Sequence, residues 1–174
     1  VMLMWHTKAS NHYCIKIKQM RIKPMKNLFI FLSLSLSSAA ALAGSAFTDA
    51  EDSVTYRQHS FQLIRHNFVD LGDMMRGKVP FDAKRAEKRA DALATLTTLP
   101  WEAFEVPGAD KIKSDAKAEI WQNLQDFQKK AQQFQADALA LQTAAKSGDQ
   151  ATIKPAFGNF AKNCKACHDQ YKAD

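Results

Sequence analysis

The sequence IKPAFGNFAKNCKACHDQY at residues 153–171 carries the strongest structural signal in the chain. Its apolar side chains recur every three or four residues, which is the spacing of one face of an α-helix. The members of this face are Ile153, Phe157, Phe160, Cys164, Cys167 and Tyr171. Asp149 can cap the start of the helix, and Pro155 falls in its first turns, where a proline is tolerated. The stretch therefore predicts an amphipathic helix that turns two cysteines inward.

Residues 164–168, CKACH, form a C-x-x-C-H motif, which is the attachment signature of a c-type haem. Two thiols one helical turn apart can each add across a haem vinyl group, and His168 can then supply an axial nitrogen to the iron. A thioredoxin-like pair should follow a strand, and no strand signal lies nearby. A zinc site needs two more ligands, for which only His59 and His66 remain after residue 46. The motif predicts one covalently attached haem c, with His168 as the iron ligand.

Three further stretches show the same spacing and predict three more helices. The first stripe, which Asp49 or Thr48 can cap and which ends near Gly77 and Pro80, contains Val54, Arg57, Phe61, Ile64, Phe68, Leu71 and Met75. The second, capped by Asp82 and stopped by Pro100, contains Ala86, Ala90, Leu93 and Leu96. The third, expected to start near Ser114 or Asp115, contains Ile120, Leu124, Phe127, Ala131, Phe134, Ala138, Leu141 and Ala145. Four amphipathic helices with mostly short connections predict an all-α, antiparallel up-down-up-down four-helix bundle, with the haem near one end.

Residues 1–46 have the composition of a targeting segment. A short basic start at residues 25–27, an apolar run at 28–36 and small side chains at 39–46 follow the order of a secretory signal peptide. Cleavage could follow Ala43 or Ala46, and we prefer Ala46. The simplest account of residues 1–24 is that Met25 is the true start, with a long basic leader as the alternative. The apolar run is too short for a membrane span and no cysteine follows it, so no membrane anchor is expected.

The formal net charge of +6 belongs to this targeting segment. Six of the 24 Lys and Arg residues and none of the 18 Asp and Glu residues lie before residue 47, which leaves 18 of each in residues 47–174. This balance gives no basis for nucleic-acid or membrane binding. The remaining 128 or so residues suffice for one cytochrome domain, which we place at 47–174.

Arg57 is the informative residue of the first helix. In an antiparallel bundle the end of the fourth helix is level with the start of the first, so residues from about Val54 to Ile64 should face the haem. Arg57 occupies a core position there, and a buried guanidinium needs an anionic partner. A haem propionate would serve, and the neighbouring Gln58 could reach the same group. The alternative is an arginine that extends past the end of the bundle into solvent.

The sixth position on the iron has no ligand in the predicted bundle. Met74 and Met75 lie about 13 residues past Phe61, which is roughly 20 Å along the helix. His59 is at the right level, but two residues from Phe61 rotate it by about 200° to the outward face, where His66 also lies. Phe61 itself cannot bind a metal. We therefore predict five-coordinate iron with an apolar, crowded open side.

Residues from about 47 to 174 resemble cytochrome c prime, the bacterial four-helix, high-spin c-type cytochrome. The motifs that carry the resemblance are YRQ at residues 56–58, LPW at 99–101 with Phe104, EIW at 119–121 and CKACHDQYK at 164–172. The resemblance implies thioethers at Cys164 and Cys167 and a proximal ligand at His168. The further haem contacts that it implies are Arg57, Gln58, Phe61, Trp101, Phe104 and Asp115. Phe61 stands where the family often has leucine, and Lys172 where it often has arginine.

The resemblance also implies a function. It predicts a periplasmic protein, usually a homodimer, that binds NO and CO and binds O₂ weakly or not at all, with NO sequestration as the expected role. The alternative is a low-spin cytochrome that carries single electrons in a respiratory chain, with a sixth ligand such as His59 and a redox partner protein. No distal His–Arg pair is positioned for acid–base work on peroxide, so we expect no enzymatic activity.

Overall fold

The computed structural model describes residues 46–173, all of which fall in one compact unit, Leu42–Asp174. The predicted signal peptide and the start at Met25 lie outside the described residues and stay predictions, as does the cleavage site. Between residues 46 and 173 the chain forms helices and no β-strand. The α-helices are α1 (Ala50–Met75), α2 (Ala83–Leu96), α3 (Glu119–Gln122), α4 (Leu124–Ala145) and α5 (Gln150–Tyr171), and a 3₁₀ turn spans Glu102–Phe104. None of the helices in this range is long and apolar enough to cross a membrane.

Aspartate side chains cap three of the long helices, as the sequence predicted. Asp49 accepts a hydrogen bond from the backbone N–H of Asp52, Asp82 from that of Arg85, and Asp149 from those of Ala151 and Thr152. Each bond satisfies an N–H that has no partner within its own helix. These caps fix where α1, α2 and α5 begin.

The third predicted helix starts later than expected and is broken. Residues 114–118 are not helical, α3 begins only at Glu119, and Asn123 interrupts the helix before α4 because its φ of −136° and ψ of 51° lie outside the helical region. The expected start near Ser114 or Asp115 was therefore wrong by about one turn.

Main-chain pairing with the end of α5 explains the late start. The N–H of Lys117 donates to the carbonyl of Tyr171 at 2.9 Å, and the N–H of Ala173 donates to the carbonyl of Asp115 at 2.8 Å. These two bonds hold residues 115–117 against residues 171–173 in an isolated antiparallel bridge, and we call the arrangement the terminal tie. A segment held in this way cannot also form the first turn of a helix.

The long helices form the predicted antiparallel four-helix bundle. Helix α1 packs on α2 and α5, and α4 packs on the same two helices. The side-chain amide of Gln150 donates to the carbonyl of Met74 at 3.0 Å, and the ring of Phe68 stacks on Phe157 with centroids 4.9 Å apart. The end of α1 is thus level with the start of α5, so the start of α1 is level with the C-x-x-C-H motif.

The core follows the four predicted stripes. Every residue of those stripes is buried or half-buried. A large cluster runs along the bundle, and a second cluster of Phe104, Ile120, Phe127 and Tyr171 lies at the end that carries the motif. Phe61 and Trp101 pack against both clusters. Phe61 and Trp101, two of the aromatic residues predicted to contact the haem, therefore lie at the boundary between the two clusters, and Phe104, the third, belongs to the second cluster.

Candidate functional site

The last turns of α5 present two thiols and an imidazole together. Cys164 and Cys167 are free and half-buried, and His168 is exposed beside them. Cys164 packs against the large core cluster and Cys167 against the second one. The imidazole of His168 borders an open pocket of about 420 Å³ that is lined also by Lys117, Asp169, Lys172 and Ala173.

The electrostatic setting of the thiols does not favour thiolate chemistry. Burial raises the pKa of Cys164 to about 11 and also raises the pKa of Cys167. A redox dithiol needs a lowered thiol pKa. A zinc site needs further ligands, and residues 46–173 contain no cluster of three or more His, Cys, Asp or Glu side chains that could hold a metal ion. The redox and zinc alternatives for the motif therefore lose their support.

Arg57 is buried inside the bundle rather than extended into solvent. Only 2% of its surface is exposed. Its guanidinium carbon lies 4.3 Å from the ring centroid of Phe104 and 5.7 Å from that of Trp121. This geometry excludes the solvent-directed alternative, because the charge lies against two aromatic faces at the level of the motif.

The guanidinium of Arg57 is incompletely satisfied. Its Nη2 donates to Ser114 Oγ at 3.1 Å, whereas its Nη1 is buried without a hydrogen-bond partner. Burial lowers the pKa of Arg57. A buried donor without an acceptor is rare in folded proteins and calls for a ligand or ion to complete it. The arrangement is ready to bind a carboxylate.

Phe61 belongs to an aromatic wall at the same level. Its ring meets Trp101 edge-on at 5.8 Å and Phe104 at 6.4 Å between centroids. Trp101 is anchored by its indole N–H, which donates to the carbonyl of Thr97 at 2.5 Å. Trp121 in turn donates to the carbonyl of Phe104 at 2.8 Å. The rings of Phe61, Trp101 and Phe104, which were predicted to contact haem, therefore belong to one packed aromatic group.

No side chain that could bind iron lies on the inner face at this level of α1. His59 and His66 are both exposed, as predicted from their positions on the helix. Met74 and Met75 are fully buried near the opposite end of α1, where Met74 is linked to the start of α5. Among the described residues of α1, the inner position is held by Phe61.

Two predicted contact residues lie outside this buried group. Gln58 is exposed beside Arg57. Asp115 is exposed, and its carboxylate pairs with the ammonium of Lys172 at 3.3 Å. Because Lys172 lines the pocket at His168, the structure places Asp115 beside that pocket and not against the rings of Phe61, Trp101 and Phe104.

Partial burial of the imidazole ring lowers the pKa of His168, and the nearby positive charge of Lys172 lowers this pKa further.

The structure adds residues that sequence reasoning did not assign to the site. Ser114 contacts Arg57, and the hydroxyl of Tyr171 donates to Asp126 at 2.6 Å, which ties α5 to α4 below Cys167. Burial, and next this bond to a carboxylate, raise the pKa of Tyr171 to about 12, and the same bond lowers the pKa of Asp126. The apolar spacing marked Tyr171 as a core residue, but no local pattern pointed to Ser114 or Asp126.

The residues present fit a covalently bound haem. Two free thiols three residues apart and an exposed imidazole follow one another on α5. At the same level of the bundle, a buried N–H of Arg57 without a hydrogen-bond partner lies among aromatic rings. A haem has vinyl groups that can react with the thiols, an iron that the imidazole can bind and carboxylate arms that can accept the unpaired N–H.

Comparison with known proteins gives a consistent result. A family model described as Cytochrome C′ matches residues 52–172. In sequence the chain is 40% identical over 127 residues to cytochrome c′ of Rubrivivax gelatinosus, and the match covers 72% of this chain and 98% of that protein.

Solved structures agree with the sequence matches. The chain is similar to cytochrome c prime from Shewanella frigidimarina with a TM-score of 0.70 and 49% identity, covering 74% of this chain and 99% of that one. Two variants of cytochrome c prime from Alcaligenes xylosoxidans, one with bound NO and one with bound carbon monoxide, match with a TM-score of 0.68 and 38% identity each. Both cover 74% of this chain, and 98% and 99% of their own chains respectively.

Proposed function

The chain belongs to the cytochrome c′ family, and we propose that it is a gas-binding c-type cytochrome that sequesters NO. The family implies a c-type haem with iron. Neighbouring structures that hold NO or carbon monoxide support gas binding by this chain as well. The observation that carries the proposal is the inner position of α1 at the level of the motif, which is held by Phe61 rather than by a metal ligand.

Three residues of α5 would hold one haem per chain. Cys164 and Cys167 would form the thioethers, and His168 would bind the iron from the proximal side. When bound, the haem supplies an iron with an open coordination position at which NO or CO can bind. Because His168 is exposed and makes no side-chain hydrogen bond within residues 46–173, its ring nitrogens remain available for this role.

Residues of α1 and the loop after α2 would shape the rest of the site. Arg57 would donate its unpaired Nη1–H to a haem propionate, with Gln58 close enough in sequence to assist at the surface. Trp101 and Phe104 would pack against the haem edge and exclude water. Asp115 would influence the haem site indirectly, because its carboxylate pairs with the ammonium of Lys172 near His168.

The open side of the iron would be apolar. Phe61 has no hydrogen-bond donor in its side chain, and its ring packs edge-on against Trp101. A polar donor is what stabilises bound O₂ at a haem, so its absence favours NO and CO over O₂. Because Phe61 also cannot bind a metal, we propose five-coordinate, high-spin iron.

We also propose where the protein acts and how it assembles. The predicted signal peptide and the covalent haem support a periplasmic location. We propose a homodimer from family membership, and a redox partner protein is compatible with the haem. We propose no enzymatic reaction, because in the described part of the chain the ring of Phe61 meets the aromatic rings of Trp101 and Phe104 rather than an acid–base pair.

Visible spectroscopy of the purified protein tests this function. The reduced protein should show a broad high-spin spectrum at neutral pH and should respond to both CO and NO. Sharp α and β bands with no response to CO would overturn the proposal in favour of the low-spin electron carrier. Covalent attachment is checked separately by haem staining after denaturing electrophoresis, which should be lost in the double variant Cys164→Ala/Cys167→Ala and retained in Arg57→Ala.

A further inference from the structure

We propose that Ser114 is a positioning residue for Arg57, and that the terminal tie couples it to the helix that carries the haem ligand. The inference rests on the proposed function, because it concerns how Arg57 is presented to a haem propionate. Ser114 itself is not placed in contact with the haem.

Ser114 gives the guanidinium of Arg57 its only hydrogen bond among the described residues. Nη2 of Arg57 donates to Ser114 Oγ at 3.1 Å, while Nη1 has no partner. Contact with the ring of Phe104 fixes the distance between the guanidinium and the ring face. It does not fix the rotation of the guanidinium in its own plane, so it does not determine the direction of each N–H. A hydrogen bond is directional. The bond to Ser114 therefore selects the orientation that leaves Nη1 unpaired and available.

The oxygen of Ser114 is itself held in place. It accepts a second hydrogen bond, from the backbone N–H of Ala116 at 3.4 Å. The next residue, Asp115, belongs to the terminal tie through its carbonyl, and Lys117 belongs to it through its N–H. Ser114 thus lies next to the segment whose main chain pairs with residues 171–173. Those residues follow closely after His168, at the end of α5 and just beyond it.

This arrangement links two elements that are far apart in the sequence. The side chain of Ser114 contacts Arg57 on α1. Its neighbours Asp115 and Lys117 are bonded through their main chain to the end of α5. A displacement of the end of α5 would move Ser114 and so reorient the guanidinium. The site is therefore expected to respond as one unit to changes at either element.

The test is a double-substitution cycle read in the reduction potential of the haem-loaded protein. Ser114→Ala should shift the potential in the same direction as Arg57→Ala and by a smaller amount, and Ser114→Thr, which keeps the hydroxyl, should restore the wild-type value. In the Arg57→Ala background, Ser114→Ala should cause no further shift. Ser53→Ala is the matched control, because it removes a buried serine hydroxyl whose one hydrogen bond among residues 46–173 goes to the carbonyl of Ala50 within α1, and it should leave the potential unchanged.

A second readout follows Arg57 directly. In ¹⁵N-labelled protein the side-chain N–H signals of Arg57 should shift or broaden in Ser114→Ala and keep their wild-type positions in Ser114→Thr and Ser53→Ala. Unchanged signals in Ser114→Ala would overturn the inference. So would a potential shift that is the same size with and without Arg57, because Ser114 would then act independently. A wild-type protein that acquires no haem would instead overturn the proposed function, whereas haem-loaded protein with additive shifts overturns only the role of Ser114.

Discussion

The ring of Phe61 meets Trp101 edge-on with centroids 5.8 Å apart, so the residue proposed to lie on the open side of the iron is braced by the loop that follows α2. Trp101 is in turn anchored through its indole N–H to the carbonyl of Thr97. A braced ring cannot move aside without disturbing its neighbour. Entry of a gas to this side is therefore expected to depend on concerted motion of Phe61 and Trp101.

Shortening Phe61 should speed the entry of gas. In Phe61→Ala we expect CO association with the reduced protein to be about tenfold faster or more, which corresponds to a barrier lower by about 1.4 kcal/mol. Flash photolysis measures the rate. Phe68→Ala is the matched control, since Phe68 is a half-buried phenylalanine on the same stripe two turns away that stacks on Phe157. An unchanged rate in Phe61→Ala, or an equal gain in Phe68→Ala, would mean that another group controls access.

Removing the buried charge of Arg57 should lower the reduction potential. A cation near the haem favours the reduced state, which carries one more electron, so Arg57→Ala should shift the potential downward by on the order of 60 mV, the one-electron equivalent of a tenfold change in an equilibrium constant. Potentiometric titration measures the shift. Arg65→Ala removes an exposed charge from the same helix and should have little effect. Equal shifts in the two variants would show that only net charge matters.

The close approach of α1 and α5 should make Gly72 intolerant of a side chain. A Cβ at Gly72 would lie 2.9 Å from Cζ of Phe157, a ring already stacked on Phe68. We expect Gly72→Ala to lower the free energy of unfolding by about 1–3 kcal/mol. Gly158→Ala is the matched control: nothing lies within 4 Å of the added Cβ, so it should raise the free energy of unfolding by about 0.5–1 kcal/mol. Chemical denaturation distinguishes the two, and a stabilising Gly72→Ala would contradict the packing described.

The cap of α5 should make part of the stability pH-dependent. The hydroxyl and N–H of Thr152, and then the N–H of Ala151, donate to Asp149 and lower its pKa below the ordinary 3.8. A lowered folded pKa gives stability that is present above the ordinary pKa and is lost as the pH falls through the folded value. The difference in free energy of unfolding between wild type and Asp149→Asn should thus favour wild type at pH 7 and shrink below about pH 4.

A companion substitution isolates the cause of this pH dependence. Thr152→Val removes the hydroxyl that donates to Asp149 at 2.6 Å and should reduce the same pH-dependent difference. Urea unfolding at a series of pH values from about 2.5 to about 7, which extend to both sides of the ordinary aspartate pKa of about 3.9, provides the measurement for all three proteins. A difference between wild type and Asp149→Asn that stays constant over this range would contradict the assigned role of the cap.

The helical fold could be predicted because its determinants are local. The stripes recur with helical spacing, and Asp49, Asp82 and Asp149 mark helix starts that the structure confirms. The burial of Arg57 followed from the same periodicity, since its position in the stripe outweighed its charge. Where a residue's surroundings are set by its own helix, the sequence was sufficient.

The unpredicted features depend on partners far along the chain. Ser114 and Asp115 resemble helix caps locally, but pairing of residues 115–117 with residues 171–173 overrides that preference. The contact of Ser114 with Arg57 and the bond of Tyr171 to Asp126 likewise join separate helices or loops. Sequence periodicity reports which face of a helix is buried and carries no information about which distant residue meets it.

The terminal tie has a consequence for how this site can change over evolutionary time. Its two bonds are made by backbone groups of residues 115, 117, 171 and 173, so they are indifferent to side-chain identity, and only a proline at 117 or 173 would remove a donor. The side chains of Asp115 and Lys172 form an ion pair across the terminal tie. Substitutions at these two positions can therefore alter the charge next to His168 while the backbone keeps that turn of helix in place. The surroundings of the proposed iron ligand can thus evolve independently of its backbone geometry.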